Sequence, residues 1–283
     1  MTMPIPLSPM RLYRLPLGVA FGATDVGPVR ESNEDNFLID ETLDVAMVAD
    51  GMGGHAAGEV ASAGVLTALH AYLARHAPIL ARERAACVDA DDPDATWSDP
   101  AAGAVRLLHA AIEHANSSLY AQNCARGRPD GGGMGATLTG LWRPPGPHPV
   151  AGSVVSFHVG DSRLYRLRGG VLEQLTRDQT LYQQALEAGM LDRLPARNLL
   201  LQAVGPSARV TPEVRSHMMV RGDVLMLCSD GLHGSVPHAE IQGALAGAHA
   251  GNLGAVCAGL IEMAKQYGAR DNITVLVALC GGE

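Results

Sequence analysis

The chain has 283 residues, of which 47% are hydrophobic and 18% charged, a composition typical of a globular protein with a sizeable core. Its formal net charge of −8 argues against nonspecific binding to nucleic acid or to an anionic membrane surface. The five cysteines are scattered and form no C-x-x-C pair, which favours reduced thiols and a cytoplasmic location. No apolar stretch approaches the roughly 18 residues of a membrane span.

The N-terminal apolar run, residues 15–23, loosely imitates a signal peptide because Arg11 and Arg14 precede it. Pro16 interrupts this run, and residues 25–28 directly after it form a turn sequence. These features argue against a signal peptide and in favour of a folded element.

Two helices are predicted in the first half of the chain. Short strands at 37–40 and 44–50 precede a helix that runs from residue 56 to about residue 76, and a second helix covers about 103–124. The segment between the helices, residues 77–103, contains three prolines and an acidic run. This composition predicts a surface loop or insertion.

Strand patterns dominate the second half, and no internal repeat is present. Strand runs that are separated by paired helices indicate an α+β sandwich rather than repeated βαβ units. The predicted strands are 135–142, 153–159, 164–168, 171–175, 210–220, 224–229 and 273–279, with a helical segment at 178–189 and two helices within 237–268.

Five short acidic signatures are distributed over almost the whole chain. In most of them an Asp follows an apolar, β-like run and is adjacent to Gly or another small residue, which places a carboxylate at a strand end. Several such Asp residues without Cys or His favour Mg²⁺ or Mn²⁺. The signatures are Arg30-Glu31-Ser32-Asn33-Glu34-Asp35, Ala49-Asp50-Gly51-Met52-Gly53-Gly54-His55, Val159-Gly160-Asp161-Ser162-Arg163, Ser229-Asp230-Gly231 and Asp271-Asn272.

The order and spacing of these signatures resemble those of the bacterial metal-dependent serine/threonine protein phosphatases of type 2C (the PPM family), from about residue 18 to residue 280. One Asp-Gly pair often marks only a turn, whereas five motifs in the family's order are specific. The resemblance implies a single domain over residues 1–283. The implied fold is a four-layer α-β-β-α sandwich, with two packed antiparallel sheets flanked by helix pairs. It also implies a mobile flap at residues 181–202.

The resemblance also implies the metal ligands, for two Mn²⁺ or Mg²⁺ ions and a third, weaker ion. Asp50 corresponds to the carboxylate shared by both main ions, and Gly51 offers its carbonyl oxygen to the second. Asp230 and Asp271 complete the coordination of the first ion. Glu34 reaches the second ion through water. Asp161, together with Asp230, matches the third position.

The chemistry implied is hydrolysis of phosphoserine and phosphothreonine in proteins by direct attack of a hydroxide that bridges the metals. Four gathered Asp carboxylates repel one another by about 4 kcal/mol per pair at 4 Å and an effective dielectric of 20, and two dications neutralise them. Arg30 corresponds to the arginine that grips the substrate phosphate. Asp50 and Asp230 are the other predicted catalytic residues. Thr137, Ser162, Arg163 and Asn272 are interpreted as residues that orient the site.

The general acid is left open. Many eukaryotic family members have a His directly after the Asp-Gly of the second motif, where this chain has Met52. His55 could protonate the leaving alcohol, but a loop or packing histidine is the simpler interpretation. A metal-bound water is the third alternative.

Two alternatives come from other classes of protein. Residues 51–56 imitate a dinucleotide fingerprint, but residues 60–82 lack the acidic residue that it requires about 20 positions later. The stronger alternative is a catalytically silent, phosphatase-like scaffold that binds phosphoproteins. Loss of metal carboxylates would indicate such a scaffold, and Asp50, Asp230 and Asp271 are all present.

The partners implied by the resemblance are phosphorylated proteins in signal transduction, in particular a eukaryotic-like Ser/Thr kinase and its substrates. Some relatives control type VI secretion through such a kinase, and the same role is a hypothesis by analogy for this chain. No nucleic-acid or membrane partner is expected, and a monomer is predicted.

Overall fold

The computed structural model describes residues 7–53, 57–88, 101–128, 131–145 and 153–281. Within these ranges the strands are β1 (Leu12–Leu15), β2 (Gly18–Asp25), β3 (Asp35–Asp40), β4 (Val45–Met52), β5 (Gly135–Ala136), β6 (Leu138–Trp142), β7 (Ser153–Val159), β8 (Arg163–Arg168), β9 (Val171–Gln174), β10 (Glu213–Met218), β11 (Val224–Cys228) and β12 (Ile273–Cys280). The helices are α1 (Ala57–Val88), α2 (Ala102–Ala125), α3 (Leu181–Glu187), α4 (Asp230–His233), α5 (His238–Ala246) and α6 (Leu253–Gln266).

The strands form two antiparallel sheets. The order of the first sheet is β1-β2-β12-β11-β8-β9, and that of the second is β10-β7-β6-β4-β3, with β5 beside β4. The N-terminal run is therefore a strand, since β2 pairs with β12 along its whole length, from Asp25↔Ile273 to Gly18↔Cys280. This pairing joins the two ends of the chain within one sheet.

Three apolar cores separate four layers. Between the sheets, side chains such as Phe37, Leu227 and Leu276 are buried. Helices α1 and α2 cover the second sheet through residues such as Leu69 and Leu108. Helices α5 and α6 cover the outer face of the first sheet in the same way. The predicted α-β-β-α sandwich is confirmed. Because both sheets are covered on both faces, strands such as β11 are buried at every position.

The prediction of a loop or insertion over residues 77–103 is wrong for residues 77–88. Helix α1 continues to Val88 and includes Pro78. A proline within a helix costs about 3 kcal/mol. The apolar face of α1 continues past Pro78, because Ala77 and Leu80 are buried in the core that α1 shares with α2. The acidic run, residues 89–94, lies outside the described residues.

Other differences are smaller. The sequence did not predict the short strand β1 or the single helical turn α4. The predicted helix 178–189 is shorter in the structure, because Thr180 caps α3 by accepting a hydrogen bond from the Gln183 backbone N–H at 3.0 Å. Among the described helices, none is long and apolar enough to cross a bilayer.

Candidate active site

The two sheets present strand ends to one cleft with a volume of about 460 Å³. Asp50 lies near the end of β4, and Asp161 and Asp230 follow the ends of β7 and β11 by two residues. Asp271 precedes β12 by two residues. The cleft is lined by Arg30, Glu31, Ser32, Glu34, Asp50, Gly51, Met52, Gly53, Thr137, Asp161, Asn198, Leu200, Asp230 and Asp271. All seven predicted catalytic and metal-binding residues are therefore in one place.

The carboxylates of the cleft strongly influence each other's protonation. Burial raises the pKa of Asp50 well above its ordinary value, and the charges of Asp35 and Asp230 raise it further. Burial, and then the charge of Asp230, raises the pKa of Asp161 to about 7. Burial, and then the charge of Asp271, raises the pKa of Asp230 to about 6. Without a cation, the cleft therefore has an excess of negative charge that proteins avoid by protonation or pairing.

Several atoms of the cleft fit a hard dication. The Asp230 Oδ1 atom is buried and has no hydrogen-bond partner. A Cβ added to Gly58 would lie 2.4 Å from Glu34 Oε2 and 2.7 Å from the Gly51 carbonyl oxygen. These two oxygens, the predicted ligands of one ion, thus converge on the same small space. Carboxylate and carbonyl oxygens are the donors that Mg²⁺ and Mn²⁺ prefer.

The carboxylates are not already arranged as ligands. Within the described residues, no three Asp, Glu, His or Cys side chains stand together as a ready-made metal site. Asp271 already has a partner, since its Oδ2 atom accepts a hydrogen bond from Arg30 Nη2 at 2.6 Å. Arg30 also donates from Nε to the Arg270 carbonyl oxygen at 3.3 Å. The predicted phosphate-binding arginine is thus paired with a predicted metal ligand.

A hydroxyl pair fixes the backbone below Asp50. Thr137 Oγ1 accepts a hydrogen bond from the Asp50 backbone N–H at 2.9 Å and lies 2.7 Å from Ser162 Oγ. His233 Nε2 donates to the Asp161 carbonyl oxygen at 2.9 Å. Because burial lowers the pKa of His233 to about 3, this side chain is neutral. These hydrogen bonds fix the backbones of Asp50 and Asp161.

Two further contacts brace the site. Asn272 Oδ1 accepts a hydrogen bond from the Glu34 backbone N–H at 2.8 Å, and its Nδ2 donates to the Val26 and Ser32 carbonyl oxygens. Arg163 forms a bidentate ion pair with Asp178, with N–O distances of 2.8 and 2.7 Å. The predicted orienting residues therefore all form side-chain hydrogen bonds, and those of Thr137 and Asn272 reach the backbones of Asp50 and Glu34. Their orienting role stays a prediction.

The sequence did not single out Asp35 and Gly58. Asp35 is buried directly opposite Asp50 in the β3–β4 pair, and its Oδ2 atom accepts a hydrogen bond from Ser229 Oγ at 2.6 Å. Burial raises its pKa to about 7. Its position beside Glu34 in the first signature was the available signal. Gly58 had no sequence signal, since only the packing of α1 against β4 brings it to the ligand oxygens.

The predicted flap, residues 181–202, borders the cleft through Asn198 and Leu200. Its C-terminal end is tied to Gln179, whose carbonyl oxygen accepts a hydrogen bond from the Leu201 backbone N–H at 2.7 Å. Gln179 also exchanges two hydrogen bonds of 2.8 Å with the backbone of Gly160, the residue before Asp161. The flap is thereby linked to the Asp161 segment. Its movement remains a prediction.

The structure describes only part of the segment that was considered for the general acid. Met52 lines the cleft where many eukaryotic relatives have a His. The candidate His55 lies outside the described residues.

Comparisons with known proteins agree with the resemblance of the motifs. The profile of the family Protein phosphatase 2C matches residues 29–250. The chain is 34% identical to the serine/threonine phosphatase stp of Listeria innocua over 264 residues, which cover 90% of this chain and 92% of the relative.

Two solved structures show the same fold. One is PppA, described as a key regulatory component of T6SS in Pseudomonas aeruginosa. It is 31% identical to this chain with a TM-score of 0.72, and the match covers 92% of this chain and 96% of PppA. The other is the catalytic domain of the serine/threonine protein phosphatase PstP in complex with two manganese ions. It has 32% identity, a TM-score of 0.69 and the same coverage.

Proposed function

Since the chain belongs to the Protein phosphatase 2C family as a protein serine/threonine phosphatase, we propose that it hydrolyses phosphoserine and phosphothreonine in proteins with two Mn²⁺ or Mg²⁺ ions bound in the cleft. The observation that carries this proposal is the convergence of Asp50, Asp161, Asp230 and Asp271 at one set of strand ends. Divalent cations would neutralise the mutual repulsion of such a group of carboxylates. The PstP structure with two manganese ions supports the metal and its number.

We assign the ligands by chemistry and position. Asp50, Asp230, Asp271 and the Gly51 carbonyl oxygen would hold the two ions directly, and Glu34 would act through water. Asp161 and Asp230 would hold a third, weaker ion. Divalent ions in such a site neutralise carboxylates, orient the phosphoryl group and activate water for attack on phosphorus.

The protein's own residues bind and orient the phosphate. Arg30 is half exposed at the cleft, and its guanidinium can bind two phosphate oxygens at once. Asp271 is its present partner. If Asp271 held a cation, its carboxylate would be a weaker partner for arginine, and the Arg30 guanidinium would then be available to phosphate. The Thr137–Ser162 pair fixes the backbone of Asp50, since Thr137 Oγ1 accepts a hydrogen bond from the Asp50 backbone N–H.

Arg30→Lys should raise KM for a phosphothreonine peptide by about 10-fold with a smaller change in kcat, because lysine keeps the charge but loses the bidentate contact. Steady-state kinetics at saturating Mn²⁺ measure both constants. Arg209→Lys, at an exposed arginine that does not line the cleft, is the control. An unchanged KM in Arg30→Lys would contradict the phosphate-binding role.

The function is tested by phosphate release from a phosphothreonine peptide while Mn²⁺ is titrated from zero, with Mg²⁺ in parallel. Turnover that requires the metal and is absent in excess chelator is the expected result. A folded protein without turnover at any metal concentration would contradict the proposal. If such a protein still bound the peptide, the silent scaffold would be the better description.

We also propose that the substrates include a bacterial eukaryotic-like Ser/Thr kinase. The proposed location of the reaction is the cytoplasm, and the proposed active form of the enzyme is a monomer. The similarity to PppA supports a role in type VI secretion. Purified phosphatase should remove phosphate from an autophosphorylated kinase of this class, as read by intact-protein mass spectrometry. Persistence of the phosphates under conditions in which the peptide is hydrolysed would argue against a kinase substrate.

A further inference from the structure

The imidazole of His158 lies between the base of the flap and the residues that support Asp50. His158 is on β7 and is only 1% exposed. Its Nε2 atom is 3.1 Å from the Arg177 carbonyl oxygen, and its Nδ1 atom is 2.8 Å from Thr139 Oγ1. None of these three residues lines the cleft. Any effect of the ring on the reaction therefore passes through other residues.

The chemistry of its neighbours gives the two ring nitrogens different roles. Burial lowers the pKa of His158 to about 4, so the imidazole is neutral at pH 7 and has a single N–H. A carbonyl oxygen can only accept, which places this hydrogen on Nε2, where it is donated to Arg177. Nδ1 then accepts a hydrogen bond from the Thr139 hydroxyl. Each nitrogen thus holds a different segment of the chain.

The Nε2 contact reaches the segment that holds both ends of the flap. Arg177 lies shortly before the flap, and its Nε donates to Glu187 Oε1 of α3 at 2.6 Å. Two residues later, the Gln179 carbonyl oxygen accepts the hydrogen bond from the Leu201 backbone N–H at the other end of the flap. The hydrogen bond from His158 therefore attaches the base of the flap to β7.

The Nδ1 contact leads to the hydroxyl pair below Asp50. Thr139 Oγ1 is also 2.9 Å from the Ser162 carbonyl oxygen, so its one hydrogen is shared between two acceptors. Ser162 Oγ lies 2.7 Å from Thr137 Oγ1, which accepts from the Asp50 backbone N–H. The three hydroxyl side chains are no more than 3% exposed. Because an unpaired buried polar atom is costly, each member of this chain of contacts restricts the next.

We propose that His158 is a positioning residue with two separable functions: Nε2 fixes the base of the flap, and Nδ1 fixes the hydroxyl pair below Asp50. The first function determines how the flap meets the protein chain on either side of a phosphothreonine. The second keeps the Asp50 backbone in place for the reaction itself. A buried histidine that only fills space would not distinguish its two nitrogens. This inference rests on the proposed function and adds a residue that influences substrate binding and turnover separately.

Two substitutions each keep one of the two contacts. The side-chain amide of glutamine can reach the position of Nε2, and that of asparagine can reach the position of Nδ1. His158→Asn therefore loses the contact with Arg177, and His158→Gln loses the contact with Thr139. Steady-state kinetics at saturating Mn²⁺ compare a phosphothreonine peptide with p-nitrophenyl phosphate. The small substrate has no flanking chain that could meet the flap.

His158→Asn should raise KM for the peptide about fivefold and change kcat/KM for p-nitrophenyl phosphate by less than about twofold, since one hydrogen bond is lost on the flap side only. His158→Gln should lower kcat about fivefold for both substrates. Thr139→Val removes the same hydrogen bond without altering the ring and should reproduce the effect of His158→Gln. Thr139→Ser keeps the hydroxyl and should have wild-type activity.

His217→Asn and His217→Gln are the matched controls. His217 is a half-buried histidine of β10 whose Nε2 is 2.8 Å from Ser156 Oγ, and neither residue lines the cleft. Both controls should keep the wild-type constants. The proposal would be overturned if His158→Asn and His158→Gln changed both substrates by the same factor, or if neither had an effect. Thr139→Val with wild-type kcat would overturn the function of Nδ1, even if His158→Gln did not fold.

Amide hydrogen exchange of the same variants, read by mass spectrometry, separates this inference from the proposed function. His158→Asn should increase the exchange rate in residues 177–202 about fivefold, and His158→Gln should increase it in residues 45–52 instead. If no substrate is hydrolysed, the proposed function fails, but these two different patterns would still support the positioning role. An increase that is equal in both segments, or absent from both, would overturn it as well.

Discussion

Replacing Asp50 with asparagine should lower phosphothreonine hydrolysis by at least about 100-fold, because even outer partners of a metal ligand contribute 10- to 100-fold to metal affinity or activity. Asp50 is in the middle of the cleft, where the charges of Asp35, Asp230 and Asp161 all influence its protonation. Asparagine has nearly the same shape but lacks the charge and one acceptor oxygen. The measurement is phosphate release at increasing Mn²⁺, and the response to Mn²⁺ should largely disappear.

The Tm of Asp50→Asn distinguishes loss of a metal ligand from loss of the folded structure. The pKa of Asp50 is raised in the folded state, so its contribution to stability is present at low pH and is lost as pH rises through the folded pKa. Asparagine does not ionise. Without metal at pH 8, Asp50→Asn should therefore have a higher Tm than the wild type. The Asp50 backbone N–H can still donate to Thr137 Oγ1.

Glu113→Gln is the control for this experiment, since it removes one charge from an exposed position of α2 that does not line the cleft. Its activity should equal that of the wild type. Substantial Mn²⁺-dependent activity in Asp50→Asn would contradict the central role of Asp50. A lower Tm without metal would show that the carboxylate stabilises the fold.

Gly58→Ala should lower activity by about 10- to 100-fold and raise the Mn²⁺ concentration needed for half-maximal activity. The added methyl group would lie 2.4 Å from Glu34 Oε2 and 2.7 Å from the Gly51 carbonyl oxygen. These distances are shorter than van der Waals contact, so the carboxylate or the start of α1 must move. Metal titration of activity and isothermal calorimetry of Mn²⁺ binding measure the effect.

Gly64→Ala provides a matched control in the same helix. An added Cβ at Gly64 meets nothing within 4 Å. It should raise the free energy of unfolding by about 0.5–1 kcal/mol through helix propensity and leave activity unchanged. If Gly58→Ala bound Mn²⁺ as tightly as Gly64→Ala, the convergence of Glu34 and Gly51 at this point would have no role in metal binding.

Local sequence patterns predicted much of the secondary structure. The predicted strand 153–159 is β7, and the predicted helix 103–124 differs from α2 by one residue at each end. Both segments have strong apolar periodicity and clear flanking breakers. The prediction failed for residues 77–88 because Pro78 was interpreted as the end of a helix. Burial of Ala77 and Leu80 against α2 outweighs that local preference.

The sequence by itself determined which side chains could do the chemistry. The order of five acidic signatures identified the family and the seven cleft residues, since each motif is encoded within a few adjacent positions. The roles of these residues as individual ligands remain predictions.

Only the tertiary structure decided how these residues meet. The pairing of β2 with β12 and of β4 with β3 brings Arg30 to Asp271 across 241 positions and buries Asp35 opposite Asp50. It also places Gly58 against the ligand oxygens and His158 between Thr139 and the Arg177 carbonyl oxygen. No local pattern encodes such contacts. They depend on the order in which strands pair and on how helices pack over the sheets, and these arise from burial summed over the whole chain.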